Sequence, residues 1–197
     1  MTDAASTIQV VYDRRLWLRA PAHVADLDAW AAAAAHEVVD RFDDVDPDER
    51  ARSLAGMTML ARRFAAAGRD GVSERFLLTA DLSLNPLVAE MHFRIGLPDH
   101  AAAEAILEFD EDLLYYDEPS AVVVDEAAGL VRVDRVAVDG RGRLTTLRRY
   151  HRRVEQVGGD IVVISDGADL KTATLARAAL DTLAASIRVI GPDGQEW

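Results

Sequence analysis

The chain has 197 residues, half of them hydrophobic and 28% charged, with a formal net charge of −12 and no cysteine. This is the composition of a folded protein, not a disordered one, and it excludes disulfides, thiolate metal sites and cysteine catalysis. The acidity argues against generic binding to nucleic acid or to an anionic membrane, since both attract basic surfaces.

The N-terminus has no basic stretch followed by an apolar one, so no signal peptide is visible. No run approaches the roughly 20 apolar residues of a membrane span. The expectation is a cytoplasmic protein. Residues 8–19 read as one or two short strands around Asp13-Arg14-Arg15, ended by Pro21. From 26 to 41, Leu27, Trp30, Ala34, Val38 and Phe42 recur at helical steps, and five consecutive alanines add propensity. A second helix starts at Asp46-Pro47 with Glu49 completing a capping box, and stops at Gly68.

After Gly71 the period changes to two. Phe76 to Leu84 and Leu87 to Ile95 predict a β-hairpin turned by Asn85-Pro86. A short helix over 100–109, capped by Asp99, precedes a strand near 121–124. A second hairpin has arms 130–138 and 143–157, joined by Asp139-Gly140-Arg141-Gly142, where glycine supplies the positive φ of a tight turn. The apolar strand 161–165 follows. A helix over about 168–188, capped by Asp166 or Asp169, then presents Leu170, Ala173, Ala176, Leu180, Leu183 and Ile187 on one face.

These elements predict an α+β fold: an antiparallel β-sheet packed by two N-terminal helices and a long C-terminal helix. The expected organisation is a single domain over 1–197, with a helical N-terminal part at 22–70 and a loose tail at 191–197.

Motifs of chemistry fail on spacing. Gly140-Arg141-Gly142 sits in a hairpin turn without the lysine of a phosphate loop, and no serine lies in a G-x-S-x-G frame. Asp44-Val45-Asp46 resembles the start of a calcium loop, but Glu49 and Ala55 replace the required glycine and glutamate. His36 and Asp40 could share a metal at their helical spacing, but two ligands do not make a site. No cofactor, metal or catalytic residue is expected.

Charge distribution is the informative feature. From Asp99 to Val131 there are ten acidic residues and no lysine or arginine, whereas Arg132 to Arg153 carry eight arginines against two aspartates. The candidate binding residues are Arg148, Arg149, Tyr150, His151, Arg152 and Arg153. Strand alternation puts charge on both faces, which predicts a strand projecting past its covering helices or running along a sheet edge. Three readings stay open: internal pairing with the acidic segment, docking of a protein partner or another subunit, and recognition of an anionic ligand through the guanidinium fork.

The two hairpins, the strand ending at Ser165 and the final helix through Ser186-Ile187-Arg188 resemble the PsbP-like α/β sandwiches over roughly residues 72–190. Val11-Tyr12-Asp13 through Trp30 and the alanine run look like uncharacterised actinobacterial proteins associated with type VII secretion. The resemblance implies an adaptor or protein-binding role without chemistry, and carries over no functional residue. The expected function is therefore a non-enzymatic protein-binding or adaptor domain that engages a protein or self-associates, with no nucleic acid and no membrane. The alternative is a small-molecule or anionic-ligand binder, or an enzyme, with a pocket between sheet and helices.

Overall fold

The computed structural model describes residues 7–20, 24–42, 46–67, 71–81, 85–95 and 114–197. Residues 8–19 form two strands, β1 (Thr7–Val10) and β2 (Trp17–Arg19), which enter different sheets. Between them Asp13 accepts from the Arg15 backbone and side chain, fixing the predicted turn. The next elements are α1 (Leu27–Val39), capped by Asp26, and α2 (Pro47–Ala66), capped by Asp46. Asp46 thus has the role of a helix cap. His36 and Asp40 lie on the exposed side of α1 and its end, with Asp40 paired to Arg50.

The first hairpin is β3 (Glu74–Leu78) and β4 (Val88–Ile95), paired through Leu77↔Val88. β3 is shorter than its alternation predicts: its registers with β4 and β2 end at the bonds from the Leu78 amide to Leu87 and from the Thr79 amide to Leu16. The expected helix at 100–109 lies outside the described residues. β5 (Leu114–Tyr115) and β6 (Ser120–Asp125) both pair with β7 (Leu130–Val138), which turns into β8 (Leu144–Val154). β9 (Gly159–Asp169) is twice the predicted length because it follows β8 to its start.

The final helix, α3 (Leu170–Ala185), is shorter than predicted. Ser186 ends it, and Ile187, placed by its helical spacing on the apolar face of that helix, instead opens β10 (Ile187–Ile190) against β1. The apolar face and the strand look alike at this junction because both bury Ile187 and Val189 in the same core. The tail expected to be loose also folds back: the Trp197 amide bonds the Val189 carbonyl at 2.8 Å and its ring packs on the core.

The result is an α+β fold with antiparallel sheets and, among the described residues, three helices. The large sheet runs β2-β3-β4-β9-β8-β7-β5, with β6 also on β7; β1 and β10 form a second, two-stranded sheet. Alternation sorts the strands into two faces. Trp17, Phe76, Ala89, Met91, Tyr150, Ile161 and Val163 face α3. Leu18 and Leu77, with Val88, face α1 and α2, whose Ala31, Ala34, Ala35 and Ala61 allow close approach. Each large side chain sealed in this way, such as Phe76 or Leu77, contributes about 2 kcal/mol.

Candidate functional site

The arginine-rich segment is neither a projection nor an edge. It is β8, hydrogen-bonded to β7 on one side and β9 on the other. Tyr150 is fully buried, and Arg148 and Arg152 are 6% and 7% exposed. Charge on both faces is compatible with this position because neighbouring elements supply carboxylates.

On the α3 face, Arg148 donates to Asp134 at 2.6 Å and to the Ala173 carbonyl at 2.9 Å. Asp134 also accepts from Arg132, which reaches both oxygens of Asp181 at 2.8 Å; Tyr150 bonds the same Asp181. A continuous chain, Arg148–Asp134–Arg132–Asp181–Tyr150, therefore ties β7 and β8 to α3. Burial first, and then the bond to Asp181, hold the Tyr150 phenol far above its ordinary pKa.

On the opposite face Asp160, 1% exposed, is held between His151 at 2.8 Å and Arg153 at 2.7 Å, and Arg149 bonds Asp166 at 3.0 Å. Arg152 differs. Its Nη2 is buried without a hydrogen-bond partner, and burial lowers its pKa, helped by repulsion from Arg188 and opposed by Glu196 and Asp125. The carboxylates that meet β8 at hydrogen-bond distance are thus Asp134, Asp160, Asp166 and, through Tyr150, Asp181.

Open space is found elsewhere. A cleft of about 540 Å³ lies between α3 and the β2–β3 corner. Its floor and one wall are Tyr12, Leu16, Trp17, Leu78 and Ala80; the other wall is the α3 face with Leu175, Ala178 and Ala179. Val11 and Leu175 extend the apolar surface to the mouth, 70% and 59% exposed, and Asp13 and Asp81 stand at its margin. The bond to Arg15 lowers the Asp13 pKa, so that carboxylate is charged at neutral pH.

A smaller cavity of about 340 Å³ lies between the end of α2 and the sheet, lined by Ala67, Arg75, Val88, Glu90, Ile164 and Asp166. Arg75 spans it, pairing with Glu90 at 3.3 Å, bonding the Phe64 carbonyl and lying over the Phe64 ring. Its polar groups face one another, as expected of a structural ion pair. Another, of about 320 Å³, separates β2 from α1 near Trp30 and Arg14; both lie between the sheet and the two N-terminal helices, where the alternative expected a pocket. Among the described residues no three His, Asp or Glu groups are set to hold a metal.

The candidate residues of β8 are thus engaged by neighbouring carboxylates except at Arg152, and the sequence reading did not include the cleft. Leu175 lies outside the helical stripe Leu170, Ala173, Ala176, Leu180; a second apolar residue off the buried face, beside Ala178 and Ala179, was the available signal.

No family model and no curated protein matches the chain. Among solved structures it is similar to the crystal structure of LpqN, involved in cell envelope biogenesis of Mycobacterium tuberculosis, with a TM-score of 0.46 and 13% identity over 94% of this chain and 84% of that one. The expectation of a cytoplasmic protein does not stand beside this match, a protein involved in cell envelope biogenesis. No described helix is long and apolar enough to cross a membrane.

Proposed function

We propose that the chain is a non-enzymatic binding protein that holds an apolar segment of a partner protein in the cleft beside α3. The carrying observation is the continuity of apolar surface from the cleft floor at Trp17 and Leu78 out to Val11 and Leu175 at the mouth. An occupant that uses all of it extends beyond the cavity, as a peptide segment does. The adaptor setting drawn from the N-terminal resemblance to proteins associated with type VII secretion belongs to the same proposal. In this reading the candidate residues of β8 shape the scaffold and α3 presents the site.

The volume of the cleft supports a second reading, a small apolar ligand, since cavities of roughly 300–1,000 Å³ hold such molecules. One experiment separates the two. A photo-crosslinking residue in place of Leu175, in cells of the source, is expected to join the chain to an apolar peptide segment, and Ala178→Trp is expected to abolish the crosslink. Crosslinking that survives Ala178→Trp overturns the cleft as the seat. A small molecule extracted from the native protein and absent from Ala178→Trp establishes the second reading instead.

A further inference from the structure

The outer edge of β6 is a second place where bonding capacity is unused. β6 pairs with β7 from Ser120↔Asp134 to Val123↔Val131, and among the described residues no strand pairs with its other side. A strand so placed presents N–H and C=O groups able to bond one more strand, and natural edges are commonly guarded by lysine or by inward charge. Ala121, Val122 and Val123 have neither guard. Val122 and Val123 are 41% and 63% exposed and point to opposite faces. Leu114 and Tyr116, 70% and 74% exposed, continue the same border along β7.

The exposed charge at the two ends of β6 is acidic, while the neighbouring arginines of β7 are engaged: Arg132, opposite Val122, is buried against Asp134 and Asp181, and Arg135 lies over the Tyr115 ring and bonds the Asp117 carbonyl. Asp117 and Asp125 are engaged by the Val136 and Ala128 amides, which leaves Glu118 and Glu126 exposed at the two ends of the strand. No lysine or arginine occurs between Asp99 and Val131. A second copy paired antiparallel about Val122 and Val123 would set its Glu126 beside Glu118, which like-charge repulsion disfavours.

We propose that β6 is a docking edge for an extended, basic segment of a partner protein, added as a strand. Its β-branched residues would cover Val122 and Val123, and its flanking lysines or arginines would meet Glu118 and Glu126. Pro119 and the bulge between Val123 and Asp125 confine the pairing to residues 120–123. This surface is separate from the cleft beside α3.

The test uses the full chain and a fluorescent peptide, Lys-Lys-Thr-Val-Thr-Val-Lys-Lys, followed by anisotropy at low salt. Saturable binding is expected, about tenfold tighter than for the same core flanked by glutamate. Val123→Lys is expected to abolish it, and the Glu118→Gln/Glu126→Gln pair to reduce both affinity and salt dependence while thermal unfolding stays unchanged. Ala178→Trp is expected to bind the peptide normally, so a failure of the cleft reading leaves this result intact. Absent saturable binding, equal affinity for the two flanks, or full binding by a folded Val123→Lys overturns the proposal. Concentration-dependent dimerisation that Val123→Lys abolishes also overturns it, assigning the edge to a second copy.

Discussion

The Tyr150 phenol donates a 2.8 Å hydrogen bond to Asp181, joining the centre of the most basic strand to the helix that closes the sheet. The same carboxylate takes two bonds from Arg132. The two partners therefore differ in what their removal leaves behind. Tyr150→Phe removes one donor while Asp181 keeps its guanidinium, and a loss of about 1 kcal/mol is expected. Asp181→Ala leaves the buried Tyr150 hydroxyl unpaired and the Arg132 guanidinium with Asp134 alone, and a larger loss of about 2–3 kcal/mol is expected. Urea unfolding of the two single variants and of the double variant measures both, and the double is expected to cost clearly less than their sum.

The arginines of the second hairpin divide by position. Arg148 is buried between Asp134 and the Ala173 carbonyl. Arg143 sits by the hairpin turn with its side chain 69% exposed, paired with Asp139 in the same turn. Charge reversal at Arg148 sets a carboxylate against Asp134 inside the sheet–helix interface, and a loss of about 3–5 kcal/mol is expected. Reversal at Arg143 is expected to stay within about 1 kcal/mol. Equal melting temperatures for Arg148→Glu and wild type would refute the pairing described for β8.

Much of the fold was legible because burial follows period. The stripe of α2, the hairpin around Gly140 and the α3 face were all readable; β3 and β4 were readable as partners but not in register, since Leu77 pairs with Val88 and Asn85-Pro86 lies within a longer connection. Charge misled where periodicity did not. A strand with arginine on both faces looks solvent-facing when read alone, because Asp134, Asp160, Asp166 and Asp181 lie on other elements and no local spacing links them to β8. Asp134 and Asp160 become direct cross-strand neighbours of Arg148 and Arg153 only once the register Asp134↔Arg148 and Asp160↔Arg153 exists. The cleft was illegible for a related reason: it depends on how far Ala178 and Ala179 leave α3 from Leu78 and Ala80, which is a tertiary distance.

The C-terminal tail has its own lock. Gly191 lies under the Trp197 ring so closely that an added Cβ would overlap it, while the Trp197 amide bonds Val189 on β10. Gly191→Ala is expected to lift the ring from the core and to redden Trp197 fluorescence. Trp197→Ala is expected to lose about 2 kcal/mol through the apolar area exposed on β1 and β10. An unchanged emission maximum in Gly191→Ala, read in a background with Trp17 and Trp30 replaced by Phe, would show that the ring is not seated there.

Asp169 couples the start of α3 to pH. Its carboxylate accepts from the Thr172 amide at 3.0 Å, from the Thr172 hydroxyl at 2.8 Å and from the Asn85 side chain at 2.7 Å. The Thr172 amide is the largest influence, followed by Asn85, and together these bonds lower the pKa from 3.8 to about 2. A depressed folded-state pKa means that the unfolded chain takes up the proton first. The stabilisation is complete above the ordinary value and is lost as pH falls through about 4 to about 2. Because the group is largely solvent-accessible, the cap itself sets the scale, about 1 kcal/mol. Asp169→Asn keeps a cap that cannot titrate. The stability difference between wild type and Asp169→Asn, from urea unfolding between pH 6 and pH 2, is expected to be constant down to the upper end of that window. Below it the wild type should weaken relative to the variant, and a difference that instead grew in favour of the wild type would contradict the cap.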